Sequence, residues 1–286
     1  MRLLITGYKG QLGQEFYRIK SSSKHEFLFT DLQQLNICSV YSISSYLSDK
    51  KIDCIINCAA YTDVRKAEVE KHKALNINSI GVKNLVTYCE ANNIKLIHFS
   101  TDYVYNSLNK KPINEDELID PQNYYGYSKR EGEKHIENSK GESIVIRTSW
   151  LYSKYGNNFV NTIIDKSKTG ENLKVINDQF GCPTYAKDLA LAVIQILESD
   201  NRIDKKAKIF NYSNTESTNW YDFAKKILKL YGSNNKVEPV DSEYFKDEVK
   251  RPKYSITSKQ KIIDTFNLEI NKWDSSLTNY IINDLK

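Results

Sequence analysis

The chain has 286 residues, room for two domains of about 150 residues each. Its composition, 40% apolar and 27% charged with 11 Gly and 5 Pro, excludes collagen-like, low-complexity and wholly disordered chains. A net charge of +5 with both signs interspersed is too small and too mixed for a nucleic-acid surface and suits a small anionic substrate.

Arg2 to Thr6 is a short apolar run ending at Gly7, and Leu12, Phe16 and Ile19 follow at helical spacing, so the chain opens strand, glycine turn, helix. The segment MRLLITG is far short of a signal peptide's apolar core. No apolar run reaches the length of a transmembrane helix, so the expected location is the cytoplasm, away from membranes. Further strands are predicted at 27–30, 54–59, 94–100 and 143–147, each followed by a stretch of helical character. That alternation points to a parallel sheet with helices on both faces. Beyond Trp150 the order changes: a helix is predicted near 158–168, a strand at 173–176, a helix at 187–197 and a strand near 209–212. The last 70 or so residues read as helix and loop. Cys38, Cys54, Cys58, Cys89 and Cys182 make an odd set, read as reduced thiols.

The segment GYKGQLG places Gly7, Gly10 and Gly13 between the first strand and the first helix. Glycines there permit a tight turn and close approach of backbone N–H groups to a pyrophosphate, whose charge a helix N-terminus favours. The spacing is G-x-x-G-x-x-G, a weak signal alone, with a turn that merely starts a helix as the lesser alternative. Asp31, at the end of the second predicted strand, adds an acid where a ribose hydroxyl would be bound. Together they predict a dinucleotide site in a Rossmann-type, doubly wound α/β domain over 1–150. A smaller, mainly substrate-binding domain is expected over 151–286, with segments around 182–212 returning to the sheet.

In YYGYSK, Tyr125 and Lys129 stand four apart at the start of a helical stretch, hence on one face. A neighbouring ammonium should lower the tyrosine pKa, and such a tyrosine can protonate a ketone oxygen while hydride reaches its carbon. With 20 tyrosines in the chain, an exposed helix pair is the plain alternative. Thr101, in FSTDYVY, follows the fourth strand at the carboxyl edge where open α/β sheets bind ligands.

At these residues the sequence resembles the extended short-chain dehydrogenase/reductases and, within them, the dTDP-4-dehydrorhamnose reductase family. The resemblance spans nearly the whole chain: GYKGQLG, NCAAYTDVRKAE, HFSTDYVY, YYGYSK, RTSWLY, VINDQFGCPT and RPKYS. It implies Tyr125 as proton donor, Lys129 as its partner and anchor of the nicotinamide ribose, and Thr101 as third catalytic group. It implies Gly10, Gln11 and Leu12 at the pyrophosphate, Asn36 and Ile37 at the adenine, and Ala60, Tyr61 and Thr62 at the middle of the cofactor. Asp102, Tyr103 and Trp150 look like sugar-pocket residues, and Asn177, Gln179 and Arg251 lie toward the nucleotide end. Surface charge is the alternative for Arg251, and a core aromatic for Trp150.

The implied reaction is NAD(P)H-dependent reduction of dTDP-4-dehydro-L-rhamnose, a step toward cell-surface polysaccharide. Asp31 should repel a 2′-phosphate that Lys9 would attract, so NADPH and NADH are both expected as cofactors. Arg65 departs from the acidic residue usual in the family. Some members are magnesium-linked dimers; Glu15 matches their first acidic position, Lys187 stands at the second with Asp188 adjacent, and Asp284 is available near the C-terminus. A lysine cannot ligate a hard cation, so neither a metal site nor a metal-linked dimer is expected; a monomer is expected, with a homodimer as the alternative. An epimerase or dehydratase of the same superfamily, or a non-catalytic regulatory subunit with this fold, stays open as an alternative.

Overall fold

The apolar runs at the start of the chain become the inner strands of a sheet. In the computed structural model, which describes residues 1–108, 110–199, 208–246 and 248–285, the first half runs β1 (Arg2–Thr6), α1 (Gln11–Ile19), β2 (Glu26–Thr30), α2 (Val40–Leu47) and β3 (Cys54–Asn57). It continues with α3 (Val64–Val69), α4 (Lys71–Leu75), α5 (Gly81–Asn92), β4 (Lys95–Thr101), α6 (Tyr124–Glu137) and β5 (Ser143–Thr148). A π-helical turn, Asn76–Ile80, joins α4 to α5.

The second half adds β6 (Leu151–Tyr152), α7 (Phe159–Ser167), β7 (Leu173–Ile176), β8 (Phe180–Gly181), β9 (Thr184–Tyr185), α8 (Ala186–Glu198) and β10 (Ile209–Asn211). It closes with β11 (Thr218–Asn219), α9 (Trp220–Tyr231), β12 (Val237–Val240), β13 (Tyr254–Ser255), α10 (Gln260–Phe266), α11 (Trp273–Asn279) and a π-helical end, Tyr280–Asp284.

Six strands form one parallel sheet in the order β10-β5-β4-β3-β1-β2. Successive side chains of a strand face opposite sides. Leu3, Ile5, Cys54 and Ile56 accordingly enter one core with α1, α8 and α10, while Leu4 and Ile55 enter another with α2, α5 and α6. Both faces are covered, which is why these strands read as continuous apolar runs. A third core, with Val160, Phe223, Ile227 and Tyr280, belongs to α7, α9 and the C-terminal end.

Within 182–212, α8 packs on α1 and β10 pairs with β5, Ile209 opposite Val145; residues 200–207 lie outside the described residues. A further return comes from α10, whose Ile262 and Phe266 enter the first core. The reading of the last 70 residues as helix and loop is corrected: β11, β12 and β13 lie there. β11 and β13 are two residues long and pair with β8, and β12 pairs with β7 although it contains Pro239. Such short pieces carry no periodicity; their partners are supplied by the tertiary fold. The third strand ends at Asn57, earlier than 54–59 suggested.

All five cysteines are free. No helix among the described residues is long and apolar enough to cross a membrane.

Candidate active site

Strand order reverses between β1 and β3, and the loops leaving their carboxyl ends meet there. Gly7 has a positive φ of 63°, and a Cβ on it would lie 2.6 Å from the Ala59 backbone, so only glycine lets the two loops touch. Gly13 packs as closely: its Cβ would fall 2.4 Å from Tyr8 Cα. Gly10 is the N-cap of α1 and offers no side-chain cap, and the first turn holds no acid. The unpaired N–H groups of that turn therefore face the crevice at the switch point, a fit for a pyrophosphate.

Leu12 is buried, leaving its backbone to serve, and the Gln11 amide oxygen accepts from Asn158 Nδ2 at 3.0 Å. At the β2 end Lys9 and Asp31 form an ion pair, which holds Asp31 below its ordinary value. Asn36 caps its own turn, accepting from the Cys38 N–H at 3.0 Å. Ile37 is a core residue, 4% exposed and seated against Gly81. Tyr61 is fixed through its backbone: its N–H donates to Asn78 Oδ1 at 2.8 Å and its carbonyl accepts from Asn78 Nδ2 at 3.0 Å. Ala60 is half-buried and Thr62 exposed on the same loop.

Asn123 caps α6, accepting from the Gly126 N–H, so the helix starts with Tyr125 in its first turn and Lys129 one turn on. Thr101, the last residue of β4, favours the ionised form of the Tyr125 hydroxyl. Thr101 Oγ1 donates to Asp102 Oδ1 at 3.0 Å. Burial pushes the Asp102 carboxyl up to about 7. Lys129 is buried, and its Nζ donates to the Phe99 carbonyl at 2.6 Å. Burial lowers its pKa to about 8. The expected lowering of the tyrosine pKa is corrected: burial drives Tyr125 above its ordinary value. The Lys129 ammonium is held on the strand carbonyl, and desolvation of the phenolate decides the direction.

A cleft of about 1150 Å³ opens beside this set, within the C-terminal half. Phe159 and Trp220 supply aromatic wall, Gln179 and Arg251 polar wall, and Arg65 enters from the sheet half. Tyr125, Lys129 and Thr101 do not line it. The link is Tyr103, whose ring stands edge-on to Tyr125 at 5.9 Å and whose hydroxyl accepts from Arg251 Nη1 at 3.2 Å. Gln179 Nε2 donates to Ser242 Oγ at 3.0 Å, whereas Asn177 is exposed and outside the cleft lining. Trp150 has a left-handed φ of 47° and stacks on Trp220 with centroids 3.4 Å apart. That backbone costs on the order of 1–3 kcal/mol for a bulky residue. Its ring lies where any side chain at position 181 would be, since a Gly181 Cβ would meet it at 2.7 Å.

Several site residues escaped the sequence reading. Thr6, Asn57 and His98 form a buried chain ending at Lys129: Thr6 Oγ1 donates to Asn57 Oδ1 at 2.6 Å, Asn57 Nδ2 meets His98 Nδ1 at 3.0 Å, and His98 Nε2 lies 3.4 Å from Lys129 Nζ. Asn78 also donates to Ser128 Oγ on α6 at 2.9 Å. Glu133, one turn beyond Lys129, receives Arg147 in a two-pronged bond of 2.8 and 2.7 Å. Burial would push Glu133 up, but Arg147 outweighs it and holds the carboxyl below its usual range. Its signal was the i, i+4 step from Lys129, together with a charged residue inside the apolar strand SIVIR.

Glu15, Lys187 and Asp284 come together as the alignment of acidic positions implied. Asp284 is bound by Arg18 and Tyr185, and Lys187 Nζ is 3.3 Å from Asp284 Oδ2. Burial raises Glu15, whose carboxylate lies 3.6 Å from Arg18. Two cations in this group make it a poor fit for a divalent metal. Among the described residues no group of three or more His, Cys, Asp or Glu could hold one.

Residues 1–285 match the family described as RmlD substrate binding domain. The chain is 34% identical to the spore coat polysaccharide biosynthesis protein SpsK of Bacillus subtilis (strain 168), covering 98% of this chain and 96% of that one. A crystal structure of a dTDP-4-dehydrorhamnose reductase from Clostridium acetobutylicum is 37% identical with a TM-score of 0.92, covering 98% of each chain. One from Bacillus anthracis, in complex with NADP, is 34% identical with a TM-score of 0.91, covering 99% of each.

Proposed function

Because this chain belongs to the dTDP-4-dehydrorhamnose reductase family, we propose that it reduces the 4-keto group of dTDP-4-dehydro-L-rhamnose to the hydroxyl of dTDP-L-rhamnose. NADPH supplies the hydride. The observation that carries the reading is Tyr125 in the first turn of α6, with Thr101 at the carboxyl end of β4 acting on its hydroxyl, a buried Lys129 one helical turn on, and a cleft with aromatic and basic walls reached through Tyr103.

As hydride reaches the carbonyl carbon, Tyr125 gives its proton to the carbonyl oxygen, so that the C=O π bond is replaced by one C–H and one O–H bond. Its raised pKa keeps it protonated and ready to donate. Thr101 and the Lys129 ammonium steady the tyrosinate that remains, and Lys129 also holds the nicotinamide ribose. Gly7, Gly10, Gln11 and Leu12 present backbone to the pyrophosphate; Lys9 and Asp31 read the adenosine ribose. Asn36 borders the adenine with backbone near Ile37, and Ala60, Tyr61 and Thr62 border the middle of the cofactor. NADH serves as well, because Lys9 and Asp31 largely neutralise one another. Asp102, Tyr103 and Trp150 surround the sugar; Gln179 and Arg251 hold the nucleotide, with Asn177 toward the same end. The protein works in the cytoplasm as a monomer.

The test is NADPH oxidation by the purified protein with dTDP-4-dehydro-L-rhamnose, beside its UDP and GDP counterparts. Turnover with the dTDP sugar is expected; no turnover with it, against turnover with another, would overturn the substrate assignment.

A further inference from the structure

Arg65 departs from the family pattern, and among the described residues of 1–150 it is also the one that lines the cleft. Its helix is fastened to the catalytic one. Asp63 caps α3, accepting from the Lys66 N–H at 3.0 Å. Ala67, fully buried, packs with Tyr61, Tyr124 and Tyr125. Glu68 Oε1 accepts from the Tyr124 N–H at 2.6 Å. Arg65 is exposed on this short helix while its neighbours are locked to the first turn of α6, so the origin of its side chain is set relative to Tyr125.

The same cleft is lined by Arg251, which is set relative to Tyr125 by another route, through Tyr103. Two arginines that line one cleft, one from each half of the chain, are thus both registered on the tyrosine that would hold the sugar carbonyl. In a sugar nucleotide the diphosphate lies one sugar ring away from that carbonyl. Guanidinium is the group whose planar donors match phosphate oxygens in pairs.

We propose that Arg65 is a substrate-binding residue that closes on the diphosphate from the sheet half, opposite Arg251, so that the two halves of the molecule grip the anion between them. This deepens the sugar-nucleotide reading and rests on it. The clamp also sets specificity by charge: it selects nucleoside diphosphates over monophosphates and nucleosides, and it is blind to the base.

The experiment compares wild type, Arg65→Ala and Arg65→Lys with NADP bound, measuring by calorimetry the binding of dTDP, dTMP and thymidine, together with KM and kcat for the sugar nucleotide. Arg65 is exposed, so its removal leaves the core packing intact. For Arg65→Ala the expected result is dTDP binding and KM weakened about 10- to 100-fold, the range for loss of a hydrogen bond to a charged group. Thymidine binding is unchanged, kcat moves far less than KM, and Arg65→Lys recovers part of the loss. Unchanged dTDP affinity in Arg65→Ala, or an equal loss for thymidine, would overturn the clamp. Wild type that binds none of the three would instead overturn the sugar-nucleotide reading itself.

Discussion

Tyr125 sits where two physical demands meet. In the proposed reaction its hydroxyl is protonated beforehand, which burial favours, and its anion forms afterwards, which Thr101 favours. Tyr125→Phe should lower kcat about 10²- to 10⁴-fold, the usual span for a general acid, with NADPH affinity little changed. Near wild-type single-turnover rates would remove Tyr125 from the proton-donor role. Lys129 adds a pH dependence. Its pKa is lowered to about 8 by burial, so the ammonium is present below that value and lost above it. NADPH affinity, followed by fluorescence, should be flat below about pH 7 and fall as pH rises through about 8; a flat titration to pH 10 would contradict this. The Lys9–Asp31 pair makes a third case. Asp31→Ala removes the charge that opposes a 2′-phosphate and frees Lys9, so the NADPH to NADH ratio of kcat/KM should rise. An unchanged ratio would show that Asp31 does not read the ribose.

Among the elements, α1 shows how closely glycine sets the cofactor site. Inside an ordinary helix Gly→Ala gains up to about 1 kcal/mol. At Gly13 the new methyl would meet Tyr8 Cα at 2.4 Å and the Gly7 carbonyl at 2.7 Å, both backbone. Overpacking of this kind costs roughly 1–3 kcal/mol, so Gly13→Ala should lower the urea midpoint and weaken NADPH binding together. Wild-type values for both would contradict the packing. The same level explains what could be read in the sequence. β1 to β5 and β10 were legible because parallel strands buried on both faces are unbroken apolar runs. β6, β8, β11 and β13 are two residues long and exist only through their partners. Tyr125, Lys129 and Thr101 were legible from spacing and from the strand before Thr101. His98 and Asn57 were not, because each is a lone polar residue in an apolar strand until β3 and β4 lie side by side.

Over the whole molecule, the two halves are tied by segments that cross back, α8, β10 and α10. The cluster of Glu15, Arg18, Lys187 and Asp284 lies at another such junction. There burial would raise Asp284, but its bonds to Arg18 and Tyr185 outweigh it and bring the carboxyl down to about 2. With cations already in place, gel filtration should give a monomer, and activity should be the same, with excess EDTA and with added Mg²⁺. A dimer that dissociates on chelation would contradict this. The central claim is that hydride goes from the nicotinamide to the sugar carbonyl while Tyr125 protonates its oxygen. Its most direct test is turnover of dTDP-4-dehydro-L-rhamnose with NADPH carrying deuterium at the transferred position of the nicotinamide C4, with NMR of the sugar product. The account predicts dTDP-L-rhamnose with one deuterium, at C4; a product without it, or with it at another carbon, would contradict the account.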